Sequence, residues 1–585
     1  VTNLFMSDQV ALVGSRALGY SFARDRSTWE KIKAMKDNLE LEVAATYAGP
    51  AGSTNTIIDT RGVCCNIHYS ISRLKSDGYK PRYADARVGY LNTALVDVSK
   101  KTQDDNFIRY INRWNLQKLE ADAEMSLPKK PIVFWLDKAT PYQYRKILRD
   151  GILEWNRAFE KAGFYNAVEV RQQEDNDDWD AEDINYNTIR WSSTQTGFSI
   201  GPSRVNPMTG EILDADVVLT VGFLSSWTRQ FELYGGDKLA EAFDSIPQQF
   251  LESMKNVDYN ARKGFAEENM SLYYSQQFGL ADTFFNIMAL TDGDEPQAEE
   301  PKTEEAASEK SEEEKKAEEE AKAAEEAKKA EEAKAAEEAK KAEEAKAAEE
   351  AKKAAEEKAK RREENKKRMQ AEHKKVIEQG LASLATHEVG HTLGLRHNFK
   401  QSALHTLDEI NDASRWTERG YVGSIMEYAP INIMPKGRTQ GDYFSVHLGD
   451  YDLWVIEYGY RVYPGKSTDS ELAELKKLAA QQTKPELNYA TDEDAYGTTV
   501  DPYVNIWDLG SSPLEYAKVR AELVEQLLPN LNDNIVEPGP SYEILRSRFN
   551  SLVSWKGNGM QMAARYIGGM QINRDFKGDE NARMP

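Results

Sequence analysis

Cysteine is nearly missing from this chain: two occur in 585 residues, Cys64 and Cys65, and they are neighbours. Adjacent residues on a strand point to opposite faces, so a bridge between these two is strained and no disulfide framework exists. The pair reads as two small buried apolar side chains and leaves the compartment open. Long apolar runs are missing as well. No stretch of about 18 apolar residues occurs, which excludes a membrane-spanning helix. The opening residues VTNLFMSDQVALVG lack a basic start and a long apolar core, so they are not expected to act as a secretory signal. A basic surplus is missing too, since net charge is -22. Residues 301–380 hold 22 Lys and Arg against 25 Asp and Glu, net -3, which leaves -19 to the rest of the chain. That acidity argues against a nucleic-acid partner and against an anionic membrane surface. No P-loop, no G-x-S-x-G and no plausible cysteine nucleophile is found.

The length is too great for one hydrophobic core, so two or three folded units are expected. Residues 1 to about 125 read as short strands between turn clusters, with Asn38–Tyr47 and Ile67–Ile71 as strands and AGPAGSTN as a turn. Beyond 130 the pattern predicts a strand at Pro131–Asp137. A helix follows, capped by Thr140 with Pro141 in its first turn, and it stops near Gly163. Strands are predicted at Val168–Val170, Asn187–Trp191 and Asp214–Thr220, which describes an α/β or α+β layer. Glu174–Asp183 is acidic and lacks the ligand order and glycine of an EF-hand; a solvated loop is favoured over a calcium site.

Residues 292–312 are acidic, proline-containing and without apolar anchors, hence a linker. A repeat follows, with Glu-Glu pairs at 319, 325, 331, 337, 343, 349 and 356. A six-residue period turns the apolar stripe by about 240° per repeat, so no heptad seam forms. Pairs such as Glu325 with Lys329 support a solvated single helix, and a coiled coil is the competing reading. Helical character runs on towards residue 397, with Gly380 as a candidate break, and returns at Ser470–Gln482 and Pro513–Leu528.

Three of the seven histidines fall within eleven residues, in His387-Glu388-Val389-Gly390-His391-Thr392-Leu393-Gly394-Leu395-Arg396-His397. This matches H-E-x-x-H-x-x-G-x-x-H. Histidines four apart on a helix differ by about 40° of rotation, so both rings can reach one ion. Glu388 then projects towards the ion's open side, and Gly394 lets the chain turn back to bring in His397. Three neutral ligands and an open position describe a catalytic zinc site. His68, His373, His405 and His447 have no partner at ligand spacing and read as ordinary surface or core residues.

Ser424-Ile425-Met426-Glu427-Tyr428 follows about thirty residues on and is similar to a Met-turn. With the zinc motif, and with Lys80–Tyr90, Tyr110–Leu116, Pro202–Glu211, Leu448–Tyr460 and Asp501–Gly510, the chain resembles the metzincin zinc metalloproteases. More narrowly, it resembles the large bacterial Met-zincin proteins that carry an extra N-terminal β domain. The resemblance implies an α+β fold: a mostly-β domain over 1–125, a catalytic domain over 126–291 and 379–465, an acidic linker and helical insertion over 292–378, and a helical subdomain over 466–585. It also implies one catalytic zinc ion on His387, His391 and His397, Glu388 as general base and then acid, and Met426 as a floor beneath the metal. Tyr428 stands where astacins and serralysins place a tyrosine that serves as a fifth ligand and oxyanion donor. A protein or peptide substrate added as a strand is implied, with Asp214–Thr220 as the candidate edge, and action in the periplasm or outside the cell. The long Ala/Glu/Lys stretch departs from the family, entering just ahead of the zinc helix where a short connection is expected. Two rivals stay open: a binding or scaffold protein with a structural zinc and the helix as its arm, and a zinc hydrolase of non-peptide substrates.

Overall fold

Alternation along Leu41–Ala48 builds the first layer: Leu41, Val43, Ala45 and Tyr47 point inward while Glu42, Ala44, Thr46 and Ala48 are half-exposed. The structure is a computed structural model. It describes residues 21–49, 61–74, 78–99, 106–193, 199–220, 370–465, 467–496, 500–528 and 543–579, and isolated positions between 341 and 368. The linker at 292–312 and most of the Glu-Glu repeat lie outside the described residues, as do residues 50–60 of the AGPAGSTN region. Two units are distinguished: Val1–Asp282 with Lys375–Pro529 and Arg546–Pro585, and Thr283–Lys374 with Asn530–Leu545. In the second, the described positions from 341 to 368 are helical and exposed, and Glu349–Lys353 (2.8 Å) and Lys352–Glu356 (4.0 Å) pair four residues apart.

Among its described residues the first unit holds four sheets. β1 (Ser21–Phe22), β2 (Thr28–Ala34), β3 (Asn38–Ala48) and β4 (Gly62–Ser72) form an antiparallel sheet with β3 between β1 or β2 and β4. Phe22, Trp29, Val63, Ile67 and Tyr69 cover its inward side chains. Cys64 and Cys65 correct the expectation of burial, for both are exposed. Among the described residues β4 pairs only with β3, and nothing packs over this part of the strand. β5 (Asn92–Val96) and β6 (Phe107–Ile111) form a hairpin, and β7 (Arg113–Trp114) follows. β8 (Ile132–Leu136), β9 (Val168–Gln172), β10 (Asn187–Ser192) and β13 (Val217–Thr220) make a parallel sheet in the order β13-β10-β8-β9. β11 (Ser203–Val205) and β12 (Glu211–Ala215) join β7 in the order β11-β12-β7.

The helix expected after Thr140 is two helices, α1 (Tyr142–Leu153) and α2 (Trp155–Lys161). Thr140 does not cap it: Pro141 holds the N-cap position and the buried Thr140 hydroxyl has no partner. Gly163, at φ 92°, ends the run where a side chain would be strained. The strand expected over Asp214–Thr220 is likewise two, β12 and β13, with Asp216 between them accepting from the Thr188 N–H at 2.8 Å. β13 ends its sheet, and Ile200 bridges its outer side at Val218.

The helix that carries the histidines, α3, is helical over 375–392, and Gly380 lies inside it without a break. Val376, Leu381, Leu384, Ala385 and Val389 are buried, and α1 approaches closely: a Cβ on Gly151 would sit 2.8 Å from the Ala382 carbonyl oxygen. Thr386 donates to Gly151 O (2.9 Å) and Trp155 Nε1 donates to Thr386 O (2.8 Å), so α3 is locked in rotation as well as position. Further along come α4 (Asp450–Tyr460), α5 (Leu472–Ala479), α6 (Pro513–Leu527) and α7 (Glu543–Ala564). The N-terminal part is strand-rich and the C-terminal part is helical.

Residues 80–116 tie these elements together. Arg82, 2% exposed, sits against Glu471 at 2.9 Å and donates to Tyr458 O (2.5 Å) and Arg461 O (2.8 Å) beyond α4. The Tyr90 hydroxyl donates to Val455 O (2.8 Å), and Trp114 Nε1 donates to Thr392 O (2.8 Å) at the end of α3. Burial works against the Glu471 carboxylate, but the Arg82 hydrogen bonds and charge outweigh it and hold the carboxyl below its ordinary 4.5. A depressed carboxyl stabilises the fold above the unfolded pKa and loses that contribution as pH falls through the folded one. Arg82→Met is expected to cost about 1–3 kcal/mol, because it removes buried donors and leaves the Glu471 carboxylate with Lys80, 2.8 Å away, as its remaining partner. Urea unfolding at neutral pH checks the loss, and repeating it towards pH 4 should narrow the gap to wild type.

Candidate metal centre

His387 and His391 leave α3 on the same face, and the left-handed turn at Gly394 (φ 94°) ends the helix three residues later. Only glycine fits there, since a Cβ would collide with the carbonyl oxygen of Asn112. Leu395 then pairs with Tyr90 in an antiparallel bridge, and Leu91 N–H donates to Gly394 O at 2.8 Å. The chain is thereby turned back, and His397 arrives beside His391 with the two Nε2 atoms 3.1 Å apart. One ring nitrogen from each of His387, His391 and His397 lies within 4.8 Å of the others. The structure brings the three predicted histidines together.

The opposite ring nitrogens decide the tautomers. His387 Nδ1 lies 2.8 Å from Ile425 O, and His391 Nδ1 lies 3.0 Å from Leu395 O. A carbonyl only accepts, so both Nδ1 atoms carry the proton. Burial, followed by the neighbouring histidines, drives His387 well below its usual range and His391 down to about 3, so both rings are neutral. His397 Nδ1 meets Asp492 Oδ1 at 2.8 Å. Burial opposes the Asp492 charge, yet the His397 hydrogen bond and the nearby Arg396 hold this carboxyl well below the carboxylate range. The Nε2 atoms of His387 and His391 are thereby left with lone pairs, and His397 Nε2 lies 3.1 Å from that of His391. Among the described residues, buried His387 Nε2 has no hydrogen-bond partner, and neither does Glu388 Oε1 on the adjacent residue. Burial alone pushes the Glu388 carboxyl up to about 8. Orphaned acceptors and an uncompensated acid are costly in a core, and a cation at the convergence point relieves both. Three imidazole nitrogens with a fourth position free suit zinc.

The turn beneath the histidines is built from its own sequence and one distant acid. Met426 is fully buried with its sulfur packed against Gly390, between the two helix histidines; a Cβ on that glycine would collide with it. Ser424 Oγ donates to Asp452 Oδ1 (2.7 Å), and the N–H groups of Ile425 (2.7 Å) and Gly449 (2.8 Å) donate to Oδ2. Full burial raises the Asp452 carboxyl to about 7 in spite of these donors. Tyr428 stands in the same wall, with its ring centroid 4.3 Å from His397, 5.3 Å from His387 and 5.0 Å from a stacked Trp507. Glu427 turns the other way and accepts from the N–H groups of Gln401 (3.1 Å) and Ser402 (2.9 Å).

Asp492 and Asp452 were not among the predicted site residues. Asp452 carried a signal, an acid inside the apolar run DYDLWVIEYGY; Asp492, in TDEDA, reads as one more acid at a helix start. The remaining histidines stay apart: His68 meets Glu40 (2.7 Å) and His447 meets Glu154 (3.2 Å). In the acidic loop, Asp180 (2.5 Å) and Glu182 close on Lys33. A cavity of about 270 Å³ opens onto His391 and His397, lined also by Leu91, Asn92, Arg396 and Asp492.

A helix bearing two histidines, a glycine turn returning a third and a buried methionine beneath them define a site of metzincin type. Residues 369–585 match the family described as Met-zincin, and residues 1–119 match a family described as a domain of unknown function, DUF5117. The C-terminal part of the chain thus matches the Met-zincin family, a domain-level likeness that suggests a zinc metallopeptidase. No curated protein and no solved structure matches the chain. No helix among the described residues is long and apolar enough to cross a membrane.

Gly394→Ala is expected to cost more than about 2 kcal/mol, from a strained backbone and the collision with Asn112 together. Thermal unfolding of the purified variant checks this, and a midpoint equal to wild type would remove the turn from its assigned place.

Proposed function

We propose that this chain is a zinc-dependent endopeptidase with His387, His391 and His397 as ligands and Glu388 as general base and acid. The observation that carries the reading is the gathering of one ring nitrogen from each of three histidines within 4.8 Å of one another, beside a buried carboxyl whose Oε1 has no partner among the described residues. Zinc bound there supplies Lewis-acid polarisation of the scissile carbonyl and lowers the pKa of a water towards about 7. Glu388 takes a proton from the attacking water and delivers it to the leaving amine, so its dry setting must be offset by the ion's charge for the base form to exist. Ile425 O, Leu395 O and Asp492 orient the three rings through their Nδ1 protons. Met426 closes the site from below, and Tyr428, packed against His397, supplies a hydroxyl for the developing oxyanion. The substrate is a protein or peptide. The family resemblance supports action in the periplasm or outside the cell.

Glu388→Gln is expected to retain one zinc per chain while cleavage of casein falls at least about a thousandfold. Metal analysis and a gel-based cleavage assay on the same sample check both halves; full activity in this variant would remove Glu388 from the mechanism. Casein left intact by wild-type, zinc-loaded protein would favour the scaffold reading. Asp492→Asn is expected to weaken zinc about 10–100-fold by releasing His397, measured by competition with a chromogenic chelator.

A further inference from the structure

Trp507 holds a backbone conformation that its side chain disfavours. Its φ is 69°, in the left-handed region, where a bulky residue is an outlier. Among the described residues one other non-glycine residue has a positive φ, Asn166, and asparagine takes that conformation readily. Glycine would sit in this turn without strain, so the strain is the cost of placing a ring there. Such outliers persist only where the surroundings over-determine them, and they gather at functional sites. Here buried hydrogen bonds hold both sides of the tryptophan. Asn505 Nδ2 donates to Pro502 O (2.8 Å) and to Asp508 Oδ2 (3.0 Å), and Arg565 Nη1 donates to Asn505 Oδ1 (2.9 Å). Ser402 Oγ donates to Asp508 Oδ1 (2.8 Å), and the same Ser402 gives its N–H to Glu427, the residue before Tyr428.

The strained turn is bonded to the wall of the metal centre. Trp507 N–H donates to Tyr428 O at 3.0 Å, and the two rings stack with centroids 5.0 Å apart and planes 12° apart. His387, His397 and Phe399 also meet the Tyr428 ring, at 32°, 59° and 57°, so among the described residues Trp507 is the neighbour that lies nearly parallel to it. A flat ring at stacking distance fills the space into which the tyrosine would otherwise swing. The indole also lines a narrow cavity with Tyr516 of α6 and Trp555 of α7, which places it between the C-terminal helices and Tyr428.

We propose that Trp507 is a positioning residue: its indole, held over Tyr428 by the strained turn, keeps the tyrosine ring and its hydroxyl aligned with the histidine cluster. What that hydroxyl does rests on the endopeptidase reading, whereas the placing of the ring does not. Trp507 acts on the reaction through Tyr428 and has no separate part in it.

Two measurements on the full chain test this. In the first, tyrosines carry carbon-13 at Cζ, and the Tyr428 line of the metal-free protein is identified by its loss in Tyr428→Phe. Trp507→Phe, which keeps a stacking ring, is expected to leave that line single and as narrow as in wild type. Trp507→Ala is expected to split it or broaden it at least about twofold, beyond the simple shift that loss of a neighbouring ring produces. Trp507→Gly deletes the ring and relaxes the turn, and it replaces the alanine variant if that one does not fold. A line that only shifts when the ring is deleted overturns the proposal. In the second, zinc-loaded Trp507→Ala is expected to lower kcat on casein about ten- to a hundredfold, with KM within about twofold and one zinc per chain retained. Trp507→Phe should recover most of the loss, and in a Tyr428→Phe background Trp507→Ala should change kcat less than about twofold. Equal losses in both backgrounds, or normal kcat without the ring, overturn the proposal. If wild type cleaves no casein while the Tyr428 line responds as expected, the endopeptidase reading falls and the placing of the ring stands.

Discussion

An imidazole offers a lone pair to a shared point only when the proton on its other nitrogen has an acceptor. In this protein three such acceptors are supplied from three places: Ile425 O in the turn under α3, Leu395 O just past the helix end, and the Asp492 carboxylate 95 residues beyond His397. Each fixes one ring, and together they turn three ordinary histidines into a converging set. Removing any acceptor frees a ring to protonate or rotate, and the set loses a member. Much of the surrounding structure can be understood as holding those acceptors still. Asp452 gathers Ser424, Ile425 and Gly449, which pins the carbonyl at Ile425. The Gly394 turn and the Tyr90–Leu395 bridge pin the carbonyl at Leu395.

The N-terminal segment takes part in this through residues 80–116. Buried hydrogen bonds from Arg82, Tyr90 and Trp114 reach the last turns of α4 and α3. Asn112 presents the carbonyl that makes glycine obligatory at 394. Sequences that lie nearly three hundred residues apart therefore meet around one helix end. The same segment supplies Leu91 and Asn92 to the cavity and then runs on as β5. Support of the metal centre and approach to it are thus properties of one stretch of chain.

Local rules carried some elements well and failed where packing intervened. Asn38–Ala48 alternates, and it is a strand over almost that range; Pro513–Leu527 begins with proline and is helical as expected. Thr140 was a reasonable cap by residue type, but its hydroxyl is buried and unpartnered while Pro141 occupies the cap position. Gly380 was a reasonable break, yet it is buried within α3, where tertiary packing outweighs the backbone entropy that a helical glycine costs. Asp214–Thr220 divides at Asp216 because that carboxylate turns to Thr188. Cys64 and Cys65 follow the habits of their residue type only where something covers them, and among the described residues both are exposed on β4.

The sequence by itself determined the histidine cluster, because helical spacing, one glycine and a third histidine are local facts that eleven residues can express. It also determined the buried methionine and the tyrosine two positions on, through a short turn with its own pattern. Only the tertiary structure decided which nitrogens face inward, since the acceptors Asp492 and Ile425 O are close to the rings in space and far from them along the chain. Asp452 and the collision partner of Gly394 belong to the same class. They depend on which distant backbone lies alongside, and no residue pattern records that.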